Sequence, residues 1–257
     1  MQFLIASHTD VGIKKKTNQD AYMIKEAQTE QGKVCFCVLC DGMGGLSNGE
    51  LASATVIRAF EQWFETDFPE VVSDFRFDEI KITWNQITNE LNHCLAEHVA
   101  GTGRRMGTTV VALLLLKDRY YIMNVGDSRA YAILDRVYQL TKDQSLVQQQ
   151  IDLGRLSPEQ AEIHPQRNVL LQCIGASDEV FPDFYEGEIY DGSAFLLCSD
   201  GFRHVISEEE MYDRLNPTQF ADEAEMQQQL IYLTELDKAR MEVDNISTVI
   251  VKVSLEG

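Results

Sequence analysis

Short runs rich in branched and aromatic residues constrain this chain most. Their length and composition predict seven β-strands. The runs cover residues 3–6, 34–40, 108–116, 119–125, 130–134, 194–198 and 246–253. Only Lys117 and Asp118 separate the third run from the fourth, so we expect these two strands to form an antiparallel hairpin.

Helical patterns lie between these runs in an order that favours one fold class. Apolar residues recur at three- and four-residue steps in residues 50–64 and 80–99, with Ser47 or Asn48 as a cap for the first helix. Further helices are expected over residues 145–153, 207–215 and 219–240. Strands and helices do not alternate one-to-one, which favours an α+β fold of antiparallel sheets covered by helices. No Pro- or Ser-rich linker divides the chain, so we expect a single domain over residues 1–257.

Four aspartates stand at the ends of predicted strands. Asp41, Asp127 and Asp200 each follow an apolar run, and Asp244 comes just before the last one. Because the end of one strand and the start of its antiparallel neighbour share an edge, we expect all four carboxylates at one rim of the sheets. Carboxylates gathered there would repel one another unless cations lay between them. Oxygen ligands without His or Cys favour Mg²⁺ or Mn²⁺ over Zn²⁺.

Three weaker patterns have ordinary explanations. An Asp beside a Gly is usually only a turn, and this explanation weakens here because three such pairs each end an apolar strand. Cys35, Cys37 and Cys40 suggest a metal site, but Cys35 and Cys37 share a strand face, and buried thiols are the better interpretation. The glycines of residues 101–107 have the wrong spacing for a dinucleotide loop.

Charge and hydropathy exclude several classes of protein. The chain has 41 acidic and 22 basic residues, a net charge of −19, and a nucleic-acid binder needs a basic surface instead. Residues 178–257 hold 19 of the acidic and 5 of the basic residues. The longest apolar run has seven residues, far short of the roughly 20 that span a bilayer. With no evident secretory signal, we expect a cytoplasmic protein without nucleic-acid or membrane partners, its six cysteines mostly buried thiols.

A series of short motifs runs in order along nearly the whole chain. It comprises Lys15-x-x-Asn18-Gln-Asp20, Asp41-Gly-Met-Gly-Gly45, Gly49-Glu50-x-Ala52, Met106-Gly-Thr-Thr109, Val125-Gly-Asp-Ser-Arg129, Leu140-Thr-Lys-Asp-Gln-Ser145, Asn168-Val-Leu, Ser199-Asp-Gly201 and Asp244-Asn245. Each motif alone is weak, but the ordered set resembles the bacterial branch of the PPM family of metal-dependent Ser/Thr protein phosphatases (the type 2C fold). The resemblance implies an αββα sandwich, two antiparallel β-sheets flanked by helices on both outer faces.

The resemblance also implies a set of metal ligands. Asp41 would bridge two catalytic Mn²⁺ or Mg²⁺ ions, and the carbonyl of Gly42 would complete the first site. Asp200 and Asp244 would hold the second ion. Asp127 is similar to the ligand of a weaker third ion that bacterial members bind.

The activity implied by the resemblance is hydrolysis of phosphoserine and phosphothreonine in proteins. A hydroxide bridging the two ions would attack phosphorus directly, without a phosphoenzyme. Asp20 would be an outer-shell acceptor for metal-bound water. The expected partners are phosphorylated proteins, including a Ser/Thr kinase, and the enzyme is expected to be a monomer.

Lys15 departs from the family's pattern, which has an Arg at this position to clamp the substrate phosphate. Lysine binds phosphate as a point charge without the bidentate guanidinium fork, so we expect weaker phosphate binding. The alternative is that residues 14–16, all lysine, form a solvated surface run. Gln144 also departs from the pattern, since His is common there. Residues 147–166 correspond to the family's flap beside the active site.

Two other functions stay open on the sequence alone. A pseudophosphatase would keep the fold and bind phosphoproteins without turnover. Lys15 is its only support, and the joint presence of Asp41, Asp200 and Asp244 argues against it. A phosphatase specialised for a small phosphorylated metabolite would show a preference for that compound over phosphopeptides.

Overall fold

The computed structural model describes residues 1–44 and 48–255. Gly45 of the Asp41 motif and the possible cap Ser47 lie outside the described residues. The strands are β1 (Gln2–Asp10), β2 (Ala21–Thr29), β3 (Gly32–Cys40), β4 (Gly42–Gly44), β5 (Met106–Thr108), β6 (Val110–Leu116), β7 (Arg119–Val125), β8 (Arg129–Ile133), β9 (Val137–Gln139), β10 (Asp183–Glu188), β11 (Ala194–Cys198) and β12 (Ile246–Ser254). The α-helices are α1 (Asn48–Thr66), α2 (Phe68–Val71), α3 (Phe77–His98), α4 (Leu146–Asp152), α5 (Pro158–Glu162), α6 (Asp200–Arg203), α7 (Glu208–Leu215) and α8 (Glu223–Ala239).

Two five-stranded antiparallel sheets form the centre of the fold. The first has the strand order β1-β12-β11-β8-β9, the second has the order β10-β7-β6-β3-β2, and β4 and β5 form a small separate pair. Apolar side chains of both large sheets meet in a core between them. Helices α1 and α3 cover the outer face of the second sheet, and α6, α7 and α8 cover that of the first. The predicted αββα sandwich is therefore confirmed.

Strand β3 contributes side chains to two cores, because successive residues point to opposite faces of the sheet. Phe36 points outward to the helices, where its ring centroid lies 5.3 Å from Trp63 and 5.6 Å from Trp84. Cys35 and Cys37 point inward to the other sheet, with their sulfur atoms 3.7 Å apart. Both are buried free thiols, as predicted, and Cys40 lies on the opposite face.

Several predicted elements differ in their bounds for identifiable reasons. The run over residues 108–116 divides at Thr109, because Thr109 N donates to Asp41 O at 2.9 Å while Thr108 N donates to Ile174 O. Helix α8 begins later than predicted, because Asp222 caps it through the backbone N–H of Glu225. Strands β2 and β10 were not predicted, since residues 25–29 of β2 are mostly polar and exposed or half-exposed, and β10 has no apolar run. Within the described residues, no helix is long and apolar enough to cross a membrane.

Asp237 is a buried acid on the inner face of α8. Its side chain is fully buried, and among the described residues neither carboxylate oxygen has a hydrogen-bond partner. Burial, reinforced by the charge of Glu242, raises the pKa of Asp237 to about 9. The carboxyl group therefore stays protonated at neutral pH.

Replacing Asp237 with Asn is expected to increase the free energy of unfolding at pH 8, by on the order of 2 kcal/mol. A carboxyl whose pKa is higher in the folded than in the unfolded state loses stability as the pH rises from about 4 to about 9, whereas the amide does not titrate. Urea unfolding of both proteins at several pH values from about 5 to 8 measures the difference. The exposed Asp213→Asn substitution is the control. A difference that does not grow with pH would contradict the prediction.

Candidate metal centre

The strand ends place five aspartates around one rim of the sandwich. Asp41 follows β3 and Asp127 lies just beyond β7, both in the second sheet, while Asp200 and Asp244 adjoin β11 and β12 of the first. Asp20 precedes β2, whose first residue pairs with the last residue of β3, so Asp20 lies across from Asp41. The predicted convergence of the four strand-end aspartates is observed, and Asp20 joins them.

Asp41 is at the centre of this acidic cluster. Burial raises the pKa of Asp41 well above its usual range, and the charges of Asp20, Asp200, Asp127 and Asp244 add to the effect in that order. The main chain of Asp41 is held in place by Thr109, whose hydroxyl accepts a hydrogen bond from Asp41 N at 2.9 Å. The fold thus fixes a carboxylate where the surrounding charge is strongly negative.

The chain after Asp41 is packed so closely that only glycine fits. Gly42 N donates to Gln19 O at 3.1 Å. A Cβ atom on Gly42 would lie 2.3 Å from Gly49 O and 2.5 Å from Gln19 O. The tight approach of backbone to backbone brings the carbonyl-bearing Gly42 beside the acidic cluster.

Asp20 and Asp200 have buried oxygens that lack partners. Both carboxylate oxygens of Asp20 and Oδ1 of Asp200 are buried without a hydrogen bond among the described residues. Burial raises the pKa of Asp20 to about 7, although the nearby hydroxyls of Ser247 and Ser199 oppose the shift, and the charges of Asp200 and Asp244 add to it. Unpartnered buried carboxylate oxygens are costly, and a cation between them would offset that cost.

Asp244 forms an ion pair with Lys15 at the edge of the cluster. Lys15 Nζ lies 2.6 Å from Asp244 Oδ1. Burial alone would lower the pKa of Lys15, but the bond to Asp244 and the charges of Asp41 and Asp200 raise it. Lys15 is 39% exposed and therefore reachable from solvent at the cluster's edge.

Asn245 positions the loop that carries Lys15 and Asp20. Its side-chain oxygen accepts from Gln19 N at 2.9 Å, and its amide donates to Val11 O at 2.9 Å and Thr17 O at 3.1 Å. The motif Asp244-Asn245 thus supplies one acid of the cluster and the anchor for two other members of the site.

The residues at this rim fit hard divalent cations. All candidate ligands are oxygens, as Mg²⁺ and Mn²⁺ prefer. Within residues 1–44 and 48–255, no three His, Cys, Asp or Glu side chains come close enough to ligate one ion together. Each ion would therefore take one or two carboxylates from Asp41, Asp200 and Asp244, and complete its shell with the Gly42 carbonyl or water, as Mg²⁺ commonly does.

Comparison with known proteins identifies the family. Residues 7–234 match the family described as protein phosphatase 2C. The chain belongs to the protein phosphatase 2C family. The protein phosphatase PhpP of Streptococcus pneumoniae is 36% identical over 207 residues, which are 80% of this chain and 81% of that protein. The predicted family and the predicted protein phosphatase activity are confirmed.

Solved structures of family members agree with this fold over nearly the whole chain. The serine/threonine phosphatase of Streptococcus agalactiae has a TM-score of 0.85 at 29% identity, covering 98% of this chain and 100% of its own. The catalytic domain of the phosphatase PstP, in complex with 2 manganese ions, has a TM-score of 0.76 at 28% identity, covering 99% and 100%. The family resemblance therefore supports dependence on divalent metal ions.

A second layer of charged residues supports this phosphatase 2C centre. His204 Nε2 lies 3.4 Å from Asp200 Oδ2, and His204 Nδ1 lies 3.2 Å from Glu242 Oε2. Glu242 Oε1 accepts hydrogen bonds from the backbone N–H groups of Val243 and Asp244, at 2.7 and 2.9 Å. His204 and Glu242 therefore link the Asp200 and Asp244 segments.

Asp127 has a different environment from the other four aspartates. Burial, followed by the charge of Asp200, raises the pKa of Asp127 to about 7, although Arg203 opposes the shift. Arg203 Nη2 donates to Asp127 O at 3.1 Å and lies 3.5 Å from Asp127 Oδ2. Arg203, His204 and Glu242 were not predicted from the sequence. The available signal was that Arg203 and His204 lie two and three residues after the Ser199-Asp-Gly201 motif.

A cavity of about 610 Å³ lies next to residues that contact the acidic cluster, although none of the five aspartates lines it. On one side it is lined by the segment predicted to be a flap, which contains α4 and α5. On the other side it is lined by Arg129, Asp143, Arg203 and His204. The predicted flap thus forms a wall next to residues that contact Asp127 and Asp200.

Proposed function

We propose that this chain hydrolyses phosphoserine and phosphothreonine in proteins with two divalent ions, Mn²⁺ or Mg²⁺, held by Asp41, Gly42, Asp200 and Asp244. The observation that carries the proposal is the set of buried carboxylates at one rim, with oxygens of Asp20 and Asp200 that lack partners. Carboxylates gathered in this way repel one another, and divalent cations bound between them would offset that repulsion. The expected partners remain phosphorylated proteins, with a Ser/Thr kinase among them.

Each residue has a separate task in this proposal. When bound, two divalent ions supply an activated water for direct attack on phosphorus and offset the charge on the transferred phosphoryl group. The charges of the four other aspartates all act on Asp41, which would be the ligand common to both ions. Asp20, buried one step further in, accepts a hydrogen bond from water in the centre. Lys15, at the exposed edge, contacts the substrate phosphate.

The cavity between the flap and the segment of Arg203 and His204 offers room for part of the protein substrate. Its apolar wall includes Val147, Ile151 and Ala161 of the flap, and its polar floor includes Arg203 and His204. A phosphorylated side chain that reaches the centre would leave its neighbouring residues near this cavity. The flap therefore contributes to substrate choice in this proposal.

Assays on three kinds of substrate test the proposal. Wild-type protein with MnCl₂ is expected to hydrolyse phosphothreonine and phosphoserine peptides, and to lose activity when the ions are chelated. A pseudophosphatase would bind the peptides without turnover. Preferential hydrolysis of a small phosphorylated metabolite would instead favour a phosphatase specialised for that compound. No hydrolysis of any phosphopeptide despite bound Mn²⁺ would overturn the proposal.

Replacing Lys15 with Ala is expected to raise KM for a phosphothreonine peptide about 10-fold with little change in kcat. Lysine contributes a charge-assisted hydrogen bond to phosphate, and partial exposure limits its strength. Steady-state kinetics at saturating MnCl₂ measure the change.

The Lys15→Arg variant is the matched control, because it keeps the charge and restores a bidentate donor. It is expected to match or lower the wild-type KM. If Lys15→Ala changes the Mn²⁺ concentration needed for activity and leaves KM unchanged, then the lysine serves Asp244 and not the substrate.

A further inference from the structure

Arg203 places a permanent positive charge at the edge of the metal centre. Its side chain is only 12% exposed. One guanidinium nitrogen, Nη2, donates to the carbonyl oxygen of Asp127 at 3.1 Å, lies 3.5 Å from its carboxylate, and lies 3.3 Å from Asp143 Oδ2. An arginine does not lose its proton in a protein, so this cation is present at every metal concentration.

Arg203 contacts both Asp127 and Asp143, and Asp143 has a second arginine partner in Arg129. Arg129 binds Asp143 through two parallel hydrogen bonds, Nε to Oδ1 at 2.7 Å and Nη2 to Oδ2 at 2.8 Å. Arg129 thus matches Asp143 in bidentate geometry, the strongest arrangement for such a pair. Arg203 Nη2 lies 3.3 Å from Asp143 Oδ2 and 3.5 Å from Asp127 Oδ2, so its charge is shared by both aspartates, and only Asp143 also has Arg129. The formal charges of these two arginines and two aspartates sum to zero without a metal ion.

The helical spacing puts Arg203 on the same side as Asp200. Helix α6 begins at Asp200 and ends at Arg203, three residues later, and residues at this spacing are neighbours on a helix surface. An ion shared by Asp127 and Asp200 would lie close to the guanidinium. Repulsion between these charges is strong in a buried setting. The third ion implied by the family resemblance therefore does not fit the residues of this chain.

We infer that Arg203 takes the place of the third metal ion, so that Asp127 pairs with a guanidinium and the centre holds two ions only. The inference rests on the proposed function, because it concerns the number of ions in that centre. Asp127 becomes a positioning residue for α6, and through α6 for Asp200.

Counting bound ions tests the inference directly. Metal-free protein is titrated with MnCl₂, and the bound ions are counted by native mass spectrometry and by calorimetry. Wild type is expected to bind two Mn²⁺ ions, and Asp127→Asn in the wild-type background is also expected to bind two. Arg203→Gln should bind a third ion, and the double variant Arg203→Gln/Asp127→Asn should return to two.

The Arg203→Lys variant is the matched control, because it retains the charge and should bind two ions. Three ions in the wild type, reduced to two by Asp127→Asn, would overturn the inference and leave the proposed function intact. An Arg203→Gln variant that is folded and binds no third ion would also overturn it. No bound Mn²⁺ in the wild type would overturn the proposed function and the inference with it. The Asp127→Asn count remains decisive even if Arg203→Gln fails to fold.

Discussion

Replacing Asp41 with Asn is expected to lower kcat/KM for a phosphothreonine peptide by on the order of 1,000-fold. The charges of the other four aspartates all raise the pKa of Asp41. Asparagine has the same shape but is neutral, so it is a much weaker ligand for a divalent cation. Steady-state kinetics over a range of MnCl₂ concentrations measure the loss and show whether more metal restores activity.

The same Asp41→Asn substitution should stabilise the metal-free protein. Removing one of several buried carboxylates relieves repulsion, which we expect to raise Tm by about 2 °C. Mn²⁺ raises the Tm of any protein that binds it only when folded. The wild type should show this rise, and the variant should show little of it.

Asp135→Asn is the control, because Asp135 lies in the turn after β8, at the end of the strand remote from the centre. It should leave kcat/KM and the Mn²⁺-induced rise in Tm unchanged. Activity of Asp41→Asn within about 10-fold of wild type, at the same MnCl₂ concentration, would remove Asp41 from the centre.

The position of the aspartates at strand ends could be predicted from the sequence, because each of them lies next to a short apolar run. The run before Asp41 and the run before Asp200 are apolar and short, and antiparallel pairing puts the end of one strand beside the start of the next. Asp244 follows from the same rule. The pattern is local, so no information about distant contacts was needed to bring these three residues to one rim.

The second layer of the site could not be predicted, because it depends on contacts between distant segments. Glu242 reaches His204 across 38 residues, and Arg203 reaches Asp127 across 76. Apart from the nearness of Arg203 and His204 to the Ser199-Asp-Gly201 motif, nothing local distinguishes these side chains from exposed ones. The burial of Asp237 could not be predicted for another reason. It lies in a helix rich in charged residues, and only the packing of α8 on the first sheet shows that it is buried.

Replacing Gly201 with Ala is expected to lower kcat/KM by on the order of 100-fold and to weaken Mn²⁺ binding. A Cβ atom there would lie 2.2 Å from Asn245 O and 3.4 Å from Asp244 Cβ. The first contact is with backbone, which cannot rotate away, so the segments of Asp200 and Asp244 must separate. A small displacement of catalytic groups is enough for a loss of this size.

Gly192→Ala separates this local effect from a general loss of stability. Gly192 has a φ of +74° and no atom within 4 Å of an added Cβ, so alanine there is strained but meets no neighbour. It lies before β11, whereas the metal centre lies after that strand. Gly192→Ala should lower Tm and leave the Mn²⁺ dissociation constant unchanged, while Gly201→Ala should change both. A Gly201→Ala variant that loses stability but binds Mn²⁺ like the wild type would show that the close approach of these two segments is not what holds the second ion.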